Sequence, residues 1–219
     1  MDLHQKALSQ CIYSDSVEAL AETYQELYKQ AMQTRQDIEA LRPFLERVAT
    51  NPSLAHDPQT SRELLGQARN PLGESIEKFV DLCDHAGKQG PQINQEMVML
   101  GTWITDQSHV DERTGRTLAR KLRAIVDEHK EITHGIDAYL GVDRQAIVQA
   151  GASLGATMSR SHAPADEARG LLAYLDVFSQ VVNAYSSPQA LIFMSAATSV
   201  HRQIVELMEP VVYQMKVSQ

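Results

Sequence analysis

The chain has 219 residues, of which 43% are hydrophobic but only 5% aromatic, and it carries a formal net charge of −8. A chain of this length buries a substantial core, and an aromatic-poor composition suits helix packing better than sheets. The acidic balance argues against nucleic-acid binding through the surface as a whole.

The N-terminal segment Met1 to Gln10 is polar and lacks the apolar centre of a cleaved signal peptide. Leu3, Ala7 and Cys11 or Ile12 fall near one side of a helix that extends the first long element backward. Asp15 followed by Glu18 resembles a capping box and marks the competing start. From there Val17, Leu20, Tyr24, Leu27, Ala31, Thr34, Ile38, Leu41, Leu45 and Val48 recur in an unbroken 3-4 alternation. That spacing places all of them on one stripe of a helix, roughly 48 Å long at about 1.5 Å per residue. A stripe of that length needs cover of similar length. Pro43 interrupts it without shifting its register, which predicts a kink rather than an end.

The segment from Thr50 to Asp57 contains Asn51-Pro52 and reads as a loop. Five pairs follow: Asp57-Pro58, Asn70-Pro71, Gly90-Pro91, Ala163-Pro164 and Ser187-Pro188. Each sets a proline before an amphipathic run, where its missing N–H has no partner to lose, and each predicts a helix start. Ile76, Phe79, Val80 and Cys83 mark a helix ending near Gly87, and Ile93, Met97, Leu100 and Ile104 mark the next. A second long stripe runs through Leu118, Leu122, Ile125, His129, Ile132, Ile136 and Tyr139, closed by Gly141. Asp143 caps a run with Ile147, Ala150, Leu154 and Met158. Leu171, Tyr174, Phe178, Val181 and Tyr185 form another stripe, and Phe193, Ala197, Val200, Ile204, Leu207 and Val211 form the last. No segment alternates with period two over a strand's length.

These elements predict an all-α fold, an elongated antiparallel bundle of long amphipathic helices with coiled-coil-like 3-4 packing. Residues 1–219 read as one domain, with residues 51–90 as an alternative small helical cap. No run reaches the roughly 18 apolar residues of a membrane span. A soluble protein is expected, cytoplasmic or exported without a cleavable signal peptide. Cys11 and Cys83 form neither a metal spacing nor a disulfide framework and read as buried or incidental thiols.

Several patterns suggest chemistry. Glu131 with His134, and Asp106 with His109, have the Glu-x-x-His type of spacing used in bundle metal sites. Both pairs fall off the apolar seams, so solvated side chains are expected and no metal or cofactor is predicted. His129 lies on a seam, where it reads as a core histidine with one hydrogen-bond partner or, alternatively, as a pH-sensitive element. Gly151-Ala-Ser-Leu-Gly155 sits inside a helical run, so it predicts close helix approach and no phosphate cradle. There is no nucleophile elbow, no phosphate-binding glycine loop and no Cys-x-x-Cys, so no catalytic residues are assigned and an enzyme is disfavoured.

Two features remain. Arg113, Arg116, Arg120 and Arg123 recur at 3-4-3 spacing, with Lys121 alongside, on the face opposite Leu118, Leu122 and Ile125. This basic stripe suits an acidic partner, lipid headgroups or phosphates, although Asp127, Glu128 and Glu131 partly neutralise it. Separately, Val177 to Val200 contains no charged residue and spans a helix–turn–helix at Ser186-Ser187-Pro188. A hairpin that enters a bilayer looks like this, with Val181, Tyr185, Leu191, Ile192, Phe193 and Met194 as its inserting residues. The buried central helices of a bundle give the same pattern. The primary expectation is therefore a non-enzymatic helical interaction or scaffold protein that binds a protein partner, an acidic one suiting the arginine face, with self-association along a leftover apolar stripe as a further expectation. The alternative is a membrane-active protein, such as a component of an α-helical pore-forming toxin, and a bundle metalloprotein or enzyme ranks below both.

Overall fold

The computed structural model describes residues 3–64, 66, 70–106, 113, 116–117, 120–121, 124 and 135–217. The chain is all-α, with seven helices among these residues: α1 (Leu3–Thr50), α2 (Pro58–Glu63), α3 (Asn70–Asp106), α4 (Ile136–Leu140), α5 (Arg144–Arg160), α6 (Pro164–Tyr185) and α7 (Pro188–Val217). Contacts group the chain into two compact units. One holds residues 1–25, 84–139 and 192–219, and the other holds residues 26–83 and 140–191.

Helix α1 starts at Leu3, ahead of the Asp15 alternative, and continues through Pro43. Nine of the ten stripe residues from Val17 to Val48 are buried, and Leu41 is half-buried. The proline removes one backbone bond, yet Leu45 and Val48 beyond it are fully covered. Burying two such side chains, at about 1.5–3 kcal/mol each, is enough to offset the roughly 3 kcal/mol that an interior proline costs.

Asp57-Pro58, Ala163-Pro164 and Ser187-Pro188 open helices, while the residues just before Asn70-Pro71 lie outside the described ones; the capped termini show why. Asp57 accepts from the backbone N–H of Thr60 at 3.0 Å and from the Thr60 hydroxyl at 2.8 Å, capping α2. Ser187 Oγ accepts from the Ala190 N–H at 3.2 Å at the head of α7. Asp143 caps α5 through the N–H groups of Gln145 and Ala146, at 2.9 and 3.1 Å.

Gly90-Pro91 is the exception. No helix ends near Gly87, because α3 runs unbroken from Asn70 to Asp106 with Pro91 inside. Leu72, Ser75, Phe79, Cys83, Ala86 and Ile93 are all buried. Adding Gly90 makes their spacing a continuous 3-4 type alternation, so one apolar face crosses the proline and keeps the helix whole. The face is also rotated from the one expected: Val80 is 40% exposed and Ile76 half-buried.

The stripe expected to run unbroken from Leu118 to Tyr139 is interrupted. Gly135 lies outside a helix with φ 93°, and α4 begins only at Ile136. A backbone in the left-handed region cannot propagate a right-handed helix, and glycine adopts it without the Cβ clash other residues meet. Gly141, at φ 65°, ends α4 as a glycine past a helix end does.

In the first unit, Val17, Leu20 and Tyr24 of α1 share the core with Phe193, Met194, Ala197 and Val200 of α7. The Tyr24 and Phe193 rings meet edge-on at 6.3 Å. In the second unit, Phe79 of α3 packs edge-on against Phe178 and Tyr185 of α6, with centroids at 5.8 and 5.3 Å. Here α1 and α3 run antiparallel: Glu26 pairs with Lys78, while Thr34, later in α1, meets Ser75, earlier in α3. Helices α5 and α6 are antiparallel too, since Gly151 faces Tyr174 while Leu154 and Thr157 face Gly170.

Of the two glycines expected at a close approach, Gly151 faces Tyr174, where a Cβ would make ordinary contact at 3.8 Å, while the tighter approach falls at Gly170. A Cβ at Gly170 would stand 3.1 Å from Leu154 Cδ1 and 3.3 Å from Thr157 Cγ2, whereas one at Gly155 would meet nothing within 4 Å. The helix that needs a glycine is the one facing the neighbour's bulk, and that assignment depends on both helices.

Candidate functional site

The basic positions expected to form a surface are surface residues. Arg113, Arg116, Arg120 and Lys121 are helical and exposed. The Thr117 hydroxyl donates to the Arg113 carbonyl at 2.8 Å, a one-turn contact that fixes the helical backbone there. Arg113, Arg116 and Arg120 keep a 3-4 spacing with Lys121 adjacent, and such long flexible side chains reach a partner by Coulomb attraction that salt screens. Arg123 lies outside the described residues, as do Leu118, Leu122, Ile125, His129 and Ile132. The same holds for His109, Glu131 and His134 of the metal-type pairs, and for the Asp106 side chain. Among the described residues, no group of three His, Cys, Asp or Glu could hold a metal ion.

The uncharged hairpin divides by burial. Val181, Tyr185, Phe193 and Met194 are buried, whereas Leu191 and Ile192 are 50% and 63% exposed. Phe193 is held between two rings, Tyr24 on one side and Tyr139 at 4.8 Å on the other. Tyr185 lies against Phe79. No helix among the described residues is long and apolar enough to cross a membrane.

A further site was not legible in the sequence. In the second unit, α1 and α6 border a cleft of about 180 Å³ lined by Arg35, Glu39 and Arg42 on one wall and Ser179, Val182 and Asn183 on the other. Arg35 Nε lies 2.8 Å from Glu39, one turn on, and Arg42 lies 2.8 Å from Asp176 of α6. The Ser179 hydroxyl is buried without a hydrogen-bond partner among the described residues. Arg35, Glu39 and Arg42 follow helical spacing beside Ile38, which is the available sequence signal. What makes them a site is α6, more than 130 positions later in the chain.

One buried titratable group also stands out. Burial pushes the His201 imidazole of α7 down to about 4, because a charged ring is poorly solvated there. It follows Val200 and lies four positions after Ala197, on the flank of the apolar stripe. The pH-sensitive character considered for His129 thus has a described counterpart at His201.

No protein-family model matches this chain, and comparison with curated proteins and with solved structures finds no match.

Proposed function

We propose that this chain is a non-enzymatic helical interaction protein that holds an acidic protein partner through the cationic positions Arg113, Arg116, Arg120 and Lys121. The observation that carries this reading is the exposure of all four on helical backbone within nine residues of a chain whose net charge is −8. The overall negative charge repels an acidic partner at a distance, so the local cationic group selects the orientation in which it docks.

The test uses immobilised poly-glutamate as the acidic probe. The wild-type chain is expected to be retained at low salt and released as salt rises. Arg116→Glu with Arg120→Glu should weaken retention roughly tenfold or more while leaving the helical circular dichroism unchanged. Undiminished retention of the double variant would sink the assignment.

The exposed Leu191–Ile192 pair favours a second reading, a membrane-active protein whose uncharged hairpin, residues 177–200, enters lipid. Insertion would withdraw Tyr185 and Phe193 from their aromatic neighbours. Ile192→Glu separates the readings, because Ile192 is exposed and the substitution leaves the fold alone. Salt-resistant sedimentation with neutral liposomes that Ile192→Glu abolishes supports insertion, and absence of sedimentation removes it.

A further inference from the structure

The cleft between α1 and α6 offers hydrogen-bond donors in excess of what its ion pairs use. Arg35 engages Glu39 through Nε, and Arg42 engages Asp176 through one terminal nitrogen. A guanidinium carries five N–H donors in a planar fork, so each leaves further donors at the cleft. The Asn183 amide stands on the opposite wall, and the Ser179 hydroxyl, a hydrogen-bonding group buried without a partner, gains one by rotating about a single bond. With Glu39 and Asp176 counted, the two guanidiniums are charge-balanced, so what the cleft offers an anion is unused N–H donors rather than net positive charge. At about 180 Å³ the space exceeds a single water, whose share of the liquid is about 30 Å³.

We propose that this cleft binds a small tetrahedral oxyanion: phosphate, or the phosphoryl group of a phosphate monoester. Arginine forks match phosphate oxygens bidentately, and charge-assisted bonds of this kind are stronger than neutral ones. Glu39 does not block the site. Its pair with Arg35 is largely exposed, with side chains 48% and 62% accessible, and exposed pairs contribute little. The anion takes the outer nitrogens of Arg35 while Glu39 keeps Nε. The inference stands on the second unit's own residues and is independent of the function proposed above.

The experiment titrates the full-length chain with sodium phosphate against sodium chloride at matched ionic strength, following arginine Nε–H and asparagine side-chain amide signals by NMR. A saturable shift with phosphate and none with chloride is expected. Arg35→Gln and Arg42→Gln should each weaken binding roughly tenfold or more, and Glu39→Gln should tighten it. If Arg42→Gln loses helicity through its broken contact with Asp176, Arg35→Gln still decides the matter, because among the described residues Arg35 pairs within its own helix. Phenyl phosphate serves as the second probe. Binding comparable to that of phosphate identifies a site for a phosphoryl group on a larger body, and its exclusion identifies a site for the free anion. No saturable shift, an equal response to chloride, or shifts undiminished in both arginine variants would overturn the proposal.

Discussion

Thr34 Oγ1 lies 2.9 Å from Ser75 Oγ, joining α1 to α3 across 41 positions of sequence inside a buried polar cluster. Gln30 Nε2 donates to both hydroxyls at 3.2 Å, and Ser75 Oγ donates to Asp37 at 2.8 Å. Gln33 Nε2 donates to the other Asp37 oxygen at 2.8 Å. A position that reads as one small residue in an apolar stripe is thus a register pin, since only one axial alignment of α1 and α3 satisfies all of these groups.

Removing one member should leave the others short of a partner. Thr34→Val, nearly isosteric, is expected to cost about 1 kcal/mol, and Ser75→Ala about 1–3 kcal/mol because Gln30 and Asp37 both lose a contact. The double variant should cost less than the sum, with a coupling of about 0.5 kcal/mol or more in a cycle measured by chemical denaturation. Strict additivity would show that the two hydroxyls act separately.

The aromatic cluster of the second unit is its most sensitive point. Phe79 is fully buried and touches both Phe178 and Tyr185. Phe79→Ala should cost about 3–5 kcal/mol, through lost transfer energy and the cavity left behind. Val80→Ala, at the adjacent and 40% exposed position, should cost much less. Comparing the two denaturation midpoints checks the face of α3 assigned to the core.

Gly170 governs how α5 seats on α6. Gly170→Ala gains about 1 kcal/mol of helix propensity but must displace Leu154 and Thr157 side-chain atoms, so it should be nearly neutral. Gly170→Leu cannot be accommodated at that separation and is expected to lift α5, which buries no residue fully. Hydrogen exchange should then accelerate across residues 144–160 while α6 stays protected. Unchanged protection of α5 would refute this seating.

His201 sets an acid-side dependence. Its folded value is about 4, whereas an unfolded histidine titrates near about 6.5, so within that window the unfolded chain binds the extra proton. Stability is therefore full above pH about 6.5 and falls as the pH drops toward about 4, by roughly 2 kcal/mol between about pH 7 and pH 5. Asp57 and Asp166 are held below the usual carboxylate range, chiefly by hydrogen bonds from the Thr60 and Ser161 side chains. Their contributions are present at higher pH and are lost only at more acidic pH than this window. Unfolding free energies measured at the two pH values should differ in the wild type, and His201→Gln should flatten the difference.

Much of the fold was legible because its signals are local. The Val17–Val48 stripe, the caps at Asp57 and Asp143, the Ser187-Pro188 start and the Gly141 end each depend on residues within about a turn or on helical period alone. The exposed cations at 113, 116, 120 and 121 follow from the same periodicity. The errors arose where a local signal competed with a distant one. Pro91 resembles Pro58, Pro164 and Pro188, which do start helices, but its flanks are held by an apolar face continuous from Leu72 to Ile93. Gly135 lies in a run whose spacing suits a helix, yet the backbone turns there.

That this protein is helical, and where several of its helices begin, follows from period and capping, which are properties of neighbours along the chain. Packing between remote segments sets the close contact at Gly170 rather than Gly155, the meeting of Thr34 with Ser75, and that of Arg42 with Asp176 beside an open cleft. Those outcomes depend on which side chains from remote segments share a few ångströms of space. A one-dimensional pattern carries no distances between them.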